Sequence, residues 1–117
     1  MNKTDKAKEA RRQKRLEALG SNHPVCICGE DNPHCLELHH IAGQAYGDDL
    51  CTVCRNCHRK LSDDQKDHPI PIGKPPVTYE CIGHMLLGLA DFFALLVEKL
   101  REFGQLLIQS VNTKAGA

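Results

Sequence analysis

Two closely spaced pairs of cysteines have the residue types and the spacing of a metal site. One residue separates the members of the first pair, and two residues separate those of the second. Short gaps of this kind let a tight turn aim both sulfurs at one ion, and structural zinc takes four such ligands at tetrahedral corners. We therefore expect a structural zinc held by Cys26, Cys28, Cys54 and Cys57.

The surroundings of the first pair bear on this ligand set. Its gap is shorter than the usual two residues, so His23 or Cys35 is an alternative to one of its sulfurs. Gly29 follows the pair and can adopt the positive φ that a chain reversal around an ion often requires. The contrary interpretation treats all these cysteines as small apolar residues. The two closely spaced cysteine pairs, which we call hooks, favour zinc, and we expect Cys35, Cys51 and Cys81 to be small buried residues or free thiols.

Three histidines near the cysteine pairs could perform hydrolysis. A neutral histidine can take a proton from water near pH 7, and a divalent ion on other imidazoles can stabilise charge on a phosphate. His40 and His58 would supply these two roles. Adjacent residues of a regular strand point to opposite faces, so His39 shares the cleft with His40 only if the chain bends after them. Otherwise His39 is a supporting or surface residue.

The order of these residues resembles a known nuclease motif. The sequence ELHHI at residues 37–41 is followed by DL at 49–50 and by CRNCH at 54–58. This arrangement is similar to that of the His-Asn-His (HNH) endonuclease family, and the similarity covers about residues 23–68. The resemblance implies a ββα-metal fold, in which a hairpin and a helix surround the catalytic ion.

The resemblance also implies roles for individual residues. His40 would be the general base, and His39 and His58 would bind a catalytic ion separate from the zinc, which could be magnesium, manganese, nickel or zinc. Asp49 occupies the position of the family's middle asparagine and would orient the base. Its carboxylate can accept the hairpin hydrogen bonds, but it lacks the amide donor of asparagine.

Basic residues predict contact with DNA. Residues 1–19 carry seven basic side chains against three acidic ones, a surplus of four, although the whole chain has no net charge. Residues 6–19 contain good helix formers and precede Gly20, which predicts an exposed helix. A solvated helix is the alternative interpretation. The residues expected to contact phosphates are Arg11, Arg12, Arg15, Arg55, Arg59 and Lys60.

Size and composition favour one small domain with flanking helices, and with the motif above they predict the α+β class. With 117 residues, of which 41% are hydrophobic and 4% aromatic, the chain cannot build a large core, so metal must supplement it. We expect a zinc-clasped ββα-metal module flanked by a basic N-terminal helix and a long amphipathic C-terminal helix. The expected segments are a basic helix at 1–20, the module at 21–68, a proline-rich linker at 69–79, the amphipathic helix at 80–110 and a flexible tail at 111–117.

The C-terminal helix has three competing roles: packing on the module, self-association and contact with a membrane. Its apolar residues recur at helical spacing over residues 82–108. The apolar run at 82–97 is shorter than the roughly 20 residues that a bilayer requires, and the following turns mix acidic and basic charges. We therefore expect a homodimer through this helix and treat membrane-surface contact as the weaker alternative.

These features predict a metal-dependent endonuclease that hydrolyses phosphodiester bonds in DNA. The first alternative is a catalytically degenerate, zinc-stabilised module that binds nucleic acid or serves as a scaffold, and the second is a membrane-anchored regulator. The first residues lack the apolar core of a signal peptide, so we expect a cytoplasmic protein. In that reducing compartment, cysteines more often bind metal than form disulfides.

Overall fold

A computed structural model describes residues 2–70 and 75–116 of the chain, with side chains described as far as residue 112. Across these residues the fold is a small α+β arrangement of three helices and one antiparallel two-stranded sheet, which confirms the predicted class. A short 3-10 helix, Pro33–Cys35, precedes the sheet. In chain order the main elements are α1 (Lys3–Leu19), β1 (Leu36–His40), β2 (Leu50–Cys54), α2 (Arg55–Gln65) and α3 (Thr78–Gly116).

Helix α1 is exposed along most of its length and is attached to the module by its last turns. Asn2 caps its first turn, and Gly20 ends it with a φ of 72°, as the sequence predicts. Only Leu16 and Leu19 are buried. The guanidinium of Arg15 donates hydrogen bonds to the backbone carbonyls of the 3-10 helix and of β1. The rest of the helix can therefore meet a partner without disturbing the core.

The hairpin carries the core of the module. In the register of β1 with β2, Leu36 lies opposite Cys54 and His40 lies opposite Leu50. Leu36 and Val53 are fully buried, and Leu61 of α2 packs against them at 1% exposure. Because Cys54 ends β2 and also caps α2, strand and helix follow one another without a loop. This continuity fixes the position of α2 against the sheet.

Helix α3 lies against the module along one face. Leu95 joins the hydrophobic core, His84 stacks on Tyr46 with ring centroids 3.6 Å apart, and Asp91 lies 2.7 Å from His68. At Gly88 the backbone of α3 comes very close to the backbone of the module, since a Cβ at this position would stand 1.7 Å from the carbonyl oxygen of Ile41. A glycine is therefore required at this crossing.

Helix α3 is longer than the sequence predicts. It begins at Thr78, inside the expected linker, and continues through residues 111–116, which were expected to form a flexible tail. Residues 71–74 of the linker lie outside the described part of the chain. One continuous helix over Thr78–Asn112, with a mean hydropathy of 1.7 in its most apolar window, is long and apolar enough to cross a membrane. By length and composition, therefore, the helix is not too short to cross a membrane, contrary to expectation. Core helices of water-soluble proteins share this property.

Candidate functional sites

The four predicted cysteines come together at the junction of β2 and α2. Their sulfurs all lie within 4.8 Å of one another, and the sulfurs of Cys28 and Cys54 are 3.6 Å apart. Tetrahedral zinc with bonds of about 2.3 Å separates its sulfurs by about 3.8 Å. The four-cysteine group is therefore positioned to bind a metal ion and is compatible with structural zinc.

Local backbone geometry creates this thiol cluster. The first hook turns through Gly29, whose φ of 97° is the positive value expected there, and its N–H donates to the carbonyl of Cys26 at 2.8 Å. The second hook spans the first turn of α2, where the N–H of Cys57 donates to the sulfur of Cys54 at 3.4 Å. His23 and Cys35 lie outside the group, so neither replaces a predicted ligand.

The environment of the cluster makes one of its thiols more acidic. Burial raises the pKa of Cys54, but hydrogen bonds from Cys57 and from the neighbouring thiols outweigh burial, so the net pKa is lowered. Burial raises the pKa of Cys57, and the neighbouring sulfurs raise it further. Full deprotonation of such a group becomes favourable only when a bound cation neutralises the thiolates, as a metal ion does.

A second cluster, formed by Glu37, His39 and His58, lies between β1 and α2. Glu37 and His39 are two residues apart on β1, so they share one face of the strand. The Nδ1 atom of His58 lies 2.6 Å from a carboxylate oxygen of Glu37, and the rings of His39 and His58 meet edge to face at 5.1 Å. We call these three residues the imidazole cluster.

His39 is the buried member of this cluster. It is 3% exposed, and its Nε2 atom lies 3.3 Å from the side-chain amide of Gln65. Burial, together with the positive charge that His58 and His40 can carry, lowers the pKa of His39 from 6.5 to about 4. His39 is therefore neutral near pH 7 and has a lone pair that can bind a metal or accept a hydrogen bond.

His40 and Asp49 lie at the loop end of the hairpin. His40 is the last residue of β1 and is partly exposed, and its position next to His39 in the strand gives it the opposite face. The chain reverses just beyond it, at Gly43. Asp49 is exposed, and its backbone carbonyl accepts a hydrogen bond from Ile41 at 3.0 Å. The structure thus brings His39 and His58 together and places His40 on the other face of the strand, at its end.

A shallow cleft of about 300 Å³ opens beside the imidazole cluster. It is lined by Glu37 and His58 together with Arg55, Arg59 and Ser62 of α2. Arg55 lies 3.4 Å from Glu37 but is 73% exposed, so its guanidinium can also reach a ligand in the cleft. The cleft thus combines one imidazole, one carboxylate and two guanidinium groups.

The other residues expected to contact nucleic acid are placed differently. Arg11 and Arg12 are exposed on α1 and line a hollow with His34, whose carbonyl accepts a 3.5 Å hydrogen bond from Arg55. Lys60 pairs with Glu98 of α3 at 3.7 Å. Arg15 is half-buried and committed to backbone carbonyls, so its observed role is to attach α1 to the module. Contact of Arg15 with phosphate stays a prediction.

Sequence reasoning missed two residues, namely Glu37 of the imidazole cluster and Gln65, which supports the cluster from α2. Glu37 stands two residues before His39, and strand alternation alone could have placed it on the same face. Gln65 ends α2 and donates to the carbonyls of His40 and Ile41 at 2.9 and 3.3 Å, which ties the helix to the end of β1. Its role depends on the tertiary contact and has no local sequence pattern.

Comparisons with protein-family models, curated proteins and solved structures found no match for this chain. Function must therefore be inferred from the residues of the two clusters and from the surface around them.

Proposed function

We propose that this protein is a metal-dependent endonuclease of the His-Asn-His type that cleaves DNA. The observation that carries the proposal is the 2.6 Å contact between His58 and Glu37 at the edge of an arginine-lined cleft. A carboxylate that accepts the Nδ1 proton of a histidine fixes the ring and leaves Nε2 as the metal-binding atom. His58 is thus oriented as the ligand of a catalytic ion.

His39 supports the same site from the strand. Its ring meets that of His58, and its lowered pKa keeps it neutral, which is the form that binds divalent metals. A magnesium, manganese, nickel or zinc ion on these imidazoles would polarise a phosphodiester and stabilise the leaving oxygen. The thiol cluster would hold a separate zinc, whose role is to fold the module.

His40 is the proposed general base. It is more exposed than His39 and ends the strand next to the chain reversal, where a water molecule can reach its imidazole. A positioned histidine contributes roughly 10²- to 10⁴-fold to such proton transfers. Asp49 directly precedes β2, across the hairpin from the end of β1. We propose that its carboxylate orients the base in place of the family's asparagine amide.

The surface around the cleft suits a polyanion. Arg55 and Arg59 flank the imidazole cluster, and Arg55 connects through the backbone of His34 to the hollow that contains Arg11 and Arg12. Basic groups therefore lie on both sides of the contact between Arg55 and His34. Such an arrangement favours a nucleic-acid backbone, which presents phosphates at regular intervals.

A plasmid-nicking assay tests the proposal. The wild-type protein should nick supercoiled DNA with at least one of magnesium, manganese or nickel, and His40→Ala and His58→Ala should each reduce the rate by roughly 100-fold or more. His23→Ala is the matched control, since His23 is exposed and lies outside both clusters. Circular dichroism and zinc content should be unchanged in all three variants.

The contrary outcomes distinguish the alternatives. Wild-type inactivity with every metal, combined with retained DNA binding, would favour the zinc-stabilised binding module. That alternative draws on the hydrogen bonding of His39 with Gln65, which satisfies the imidazole without an ion. Full activity of His40→Ala would remove His40 as the base and direct attention to His39.

A further inference from the structure

The two faces of helix α3 are used differently. Residues that contact the module follow one another at intervals of three or four, as His84, Gly88, Asp91 and Leu95 do. The opposite face carries large apolar side chains that remain in solvent. Beyond residue 99, every residue through 112 is exposed. The structure therefore leaves one apolar face of a long helix without a partner within the described part of the chain.

The apolar residues of this face follow a heptad repeat. Beginning at residue 82 they recur at alternating intervals of four and three, and eight successive positions are all Leu, Ile or Phe. An apolar heptad sustained over three to four repeats is typical of a coiled coil. We call this face the heptad seam, and it consists of Ile82, Leu86, Leu89, Phe93, Leu96, Leu100, Phe103 and Leu107.

The seam is exposed where a partner helix would pack. Leu86, Phe93, Leu100 and Leu107 are spaced by seven residues and are 62%, 54%, 61% and 70% exposed. Six of the eight seam residues are exposed in all. If covering each removes about 100 Å² from water, the seam contributes about 600 Å² per chain and about 1,200 Å² per pair. That total reaches the size of specific protein interfaces.

The contacts of α3 argue against a bilayer as the occupant. A membrane-spanning helix is surrounded by lipid or by other membrane segments, but α3 is attached to the module through the stacked His84 and the 2.7 Å contact of Asp91 with His68. In addition, charged residues occupy four of the five positions from Glu98 to Glu102, in the middle of the helix. A partner that covers one narrow seam fits these contacts better.

We propose that a second copy of this chain covers the heptad seam, so that α3 forms a coiled-coil homodimer with the two zinc modules on its outer faces. The module-binding face and the seam lie on opposite sides of the helix, so dimerisation requires no rearrangement of the module. This interface goes beyond the proposed nuclease activity and does not depend on it.

A register-shifted pair of variants tests the dimer in the full chain. Leu86→Glu with Leu107→Glu places two carboxylates in the seam, whereas Leu87→Glu with Ile108→Glu places the same charges one residue away, at exposed apolar positions outside it. Sedimentation equilibrium at low micromolar concentration should show a dimer for the wild-type chain and for the second variant. The first variant should dissociate at least 100-fold more readily.

Other results would overturn the proposal. A wild-type chain that is monomeric in detergent-free buffer has no such interface, and equal dissociation of both variants would show association without heptad register. Flotation of a monomeric wild-type chain with phosphatidylcholine–phosphatidylserine vesicles would instead assign the apolar face to lipid. Zinc content and circular dichroism of each variant show that its module remains folded, so loss of the dimer cannot be mistaken for loss of the fold.

Discussion

The thiol cluster and the imidazole cluster are built on adjacent residues of α2 but have opposite characters. Cys57 is 3% exposed and belongs to a closed group of four potential ligands. The side chain of His58, the next residue, is 29% exposed and borders a cleft. A closed set of four ligands is typical of structural zinc, whereas catalytic metals keep an open position. Neighbouring residues of one helix thus belong to a cluster suited to structural metal and to a cluster suited to chemistry.

The helix itself produces this separation. Successive residues of a helix point about 100° apart, so Cys57 faces the hairpin junction while His58 faces the strand that carries Glu37. The first site is completed by residues close in sequence within each hook. The second is completed by a contact across 21 residues, which forms only after the hairpin and α2 have packed together.

The largest expected effect comes from breaking the closed site. Cys57→Ser should abolish zinc binding and unfold the central module, because metal binding and folding of small zinc modules are coupled by on the order of 10 kcal/mol. Cys54→Ser should be equally damaging. Elemental analysis and far-ultraviolet circular dichroism, with and without a chelator, measure both effects. Cys81→Ser is the control, since Cys81 lies on α3 outside the thiol cluster and its loss should be mild.

One zinc per chain is the expected stoichiometry of the wild-type protein. A preparation that is free of metal yet retains native secondary structure and resists the chelator would contradict the closed site. The cysteines would then be ordinary small core residues, as the contrary interpretation of the sequence holds.

The same contrast explains what the sequence could predict. The grouping of the four cysteines was predicted correctly because each hook is a local pattern with a known ligand geometry, and Gly20 and Gly29 mark the turns that they were expected to mark. The hairpin and helix that the resemblance implies for the module are also present, as β1, β2 and α2. Strand alternation further separated His39 from His40.

Tertiary contacts set the limits of prediction. No local pattern distinguishes Arg15 from its basic neighbours, yet its guanidinium donates to the carbonyls of Pro33 and Leu36, a contact that only the tertiary structure reveals. The end of α3 was predicted too early, at residue 110, whereas the helix continues to Gly116. Likewise, the crossing at Gly88 depends on the backbone of Ile41, which local pattern cannot show.

A smaller effect should result from changing the support of the open site. Glu37→Gln keeps the shape of the side chain but removes the charge that holds the Nδ1 proton of His58. Loss of such a supporting carboxylate typically reduces metal affinity or activity by about 10- to 100-fold. We expect that decrease in nicking rate and in affinity for the added divalent metal, with zinc content unchanged.

Glu102→Gln is the matched control for this change. Glu102 pairs with Lys99 on the surface of α3, at 3.2 Å, and a surface pair of this kind contributes little. Nicking should therefore match the wild type. If Glu37→Gln and Glu102→Gln were equally active, the contact between Glu37 and His58 would have no part in metal binding, and the open site would lose its main support.

The smallest predicted effect concerns the pH dependence of folding, measured without added catalytic metal. The pKa of His39 is about 4 in the folded chain and 6.5 when unperturbed, so the unfolded chain binds a proton that the folded chain excludes as the pH falls below 6.5. Stability is then lost on acidification, by about 1 kcal/mol between pH 6.5 and 5.5 from this residue alone. Above about pH 7.5, His39 should contribute no further slope.

Comparison with His39→Gln isolates this contribution, because the cysteine thiolates titrate in both proteins and cancel in the difference. Urea unfolding monitored by circular dichroism at several pH values should give the wild-type chain the steeper loss of stability on acidification, whatever the absolute stability of the variant. Parallel slopes would mean that His39 takes up a proton equally well in the folded and unfolded chains. Its imidazole would then be accessible to water, and the proposed division between a buried His39 as metal ligand and a partly exposed His40 as base would fail.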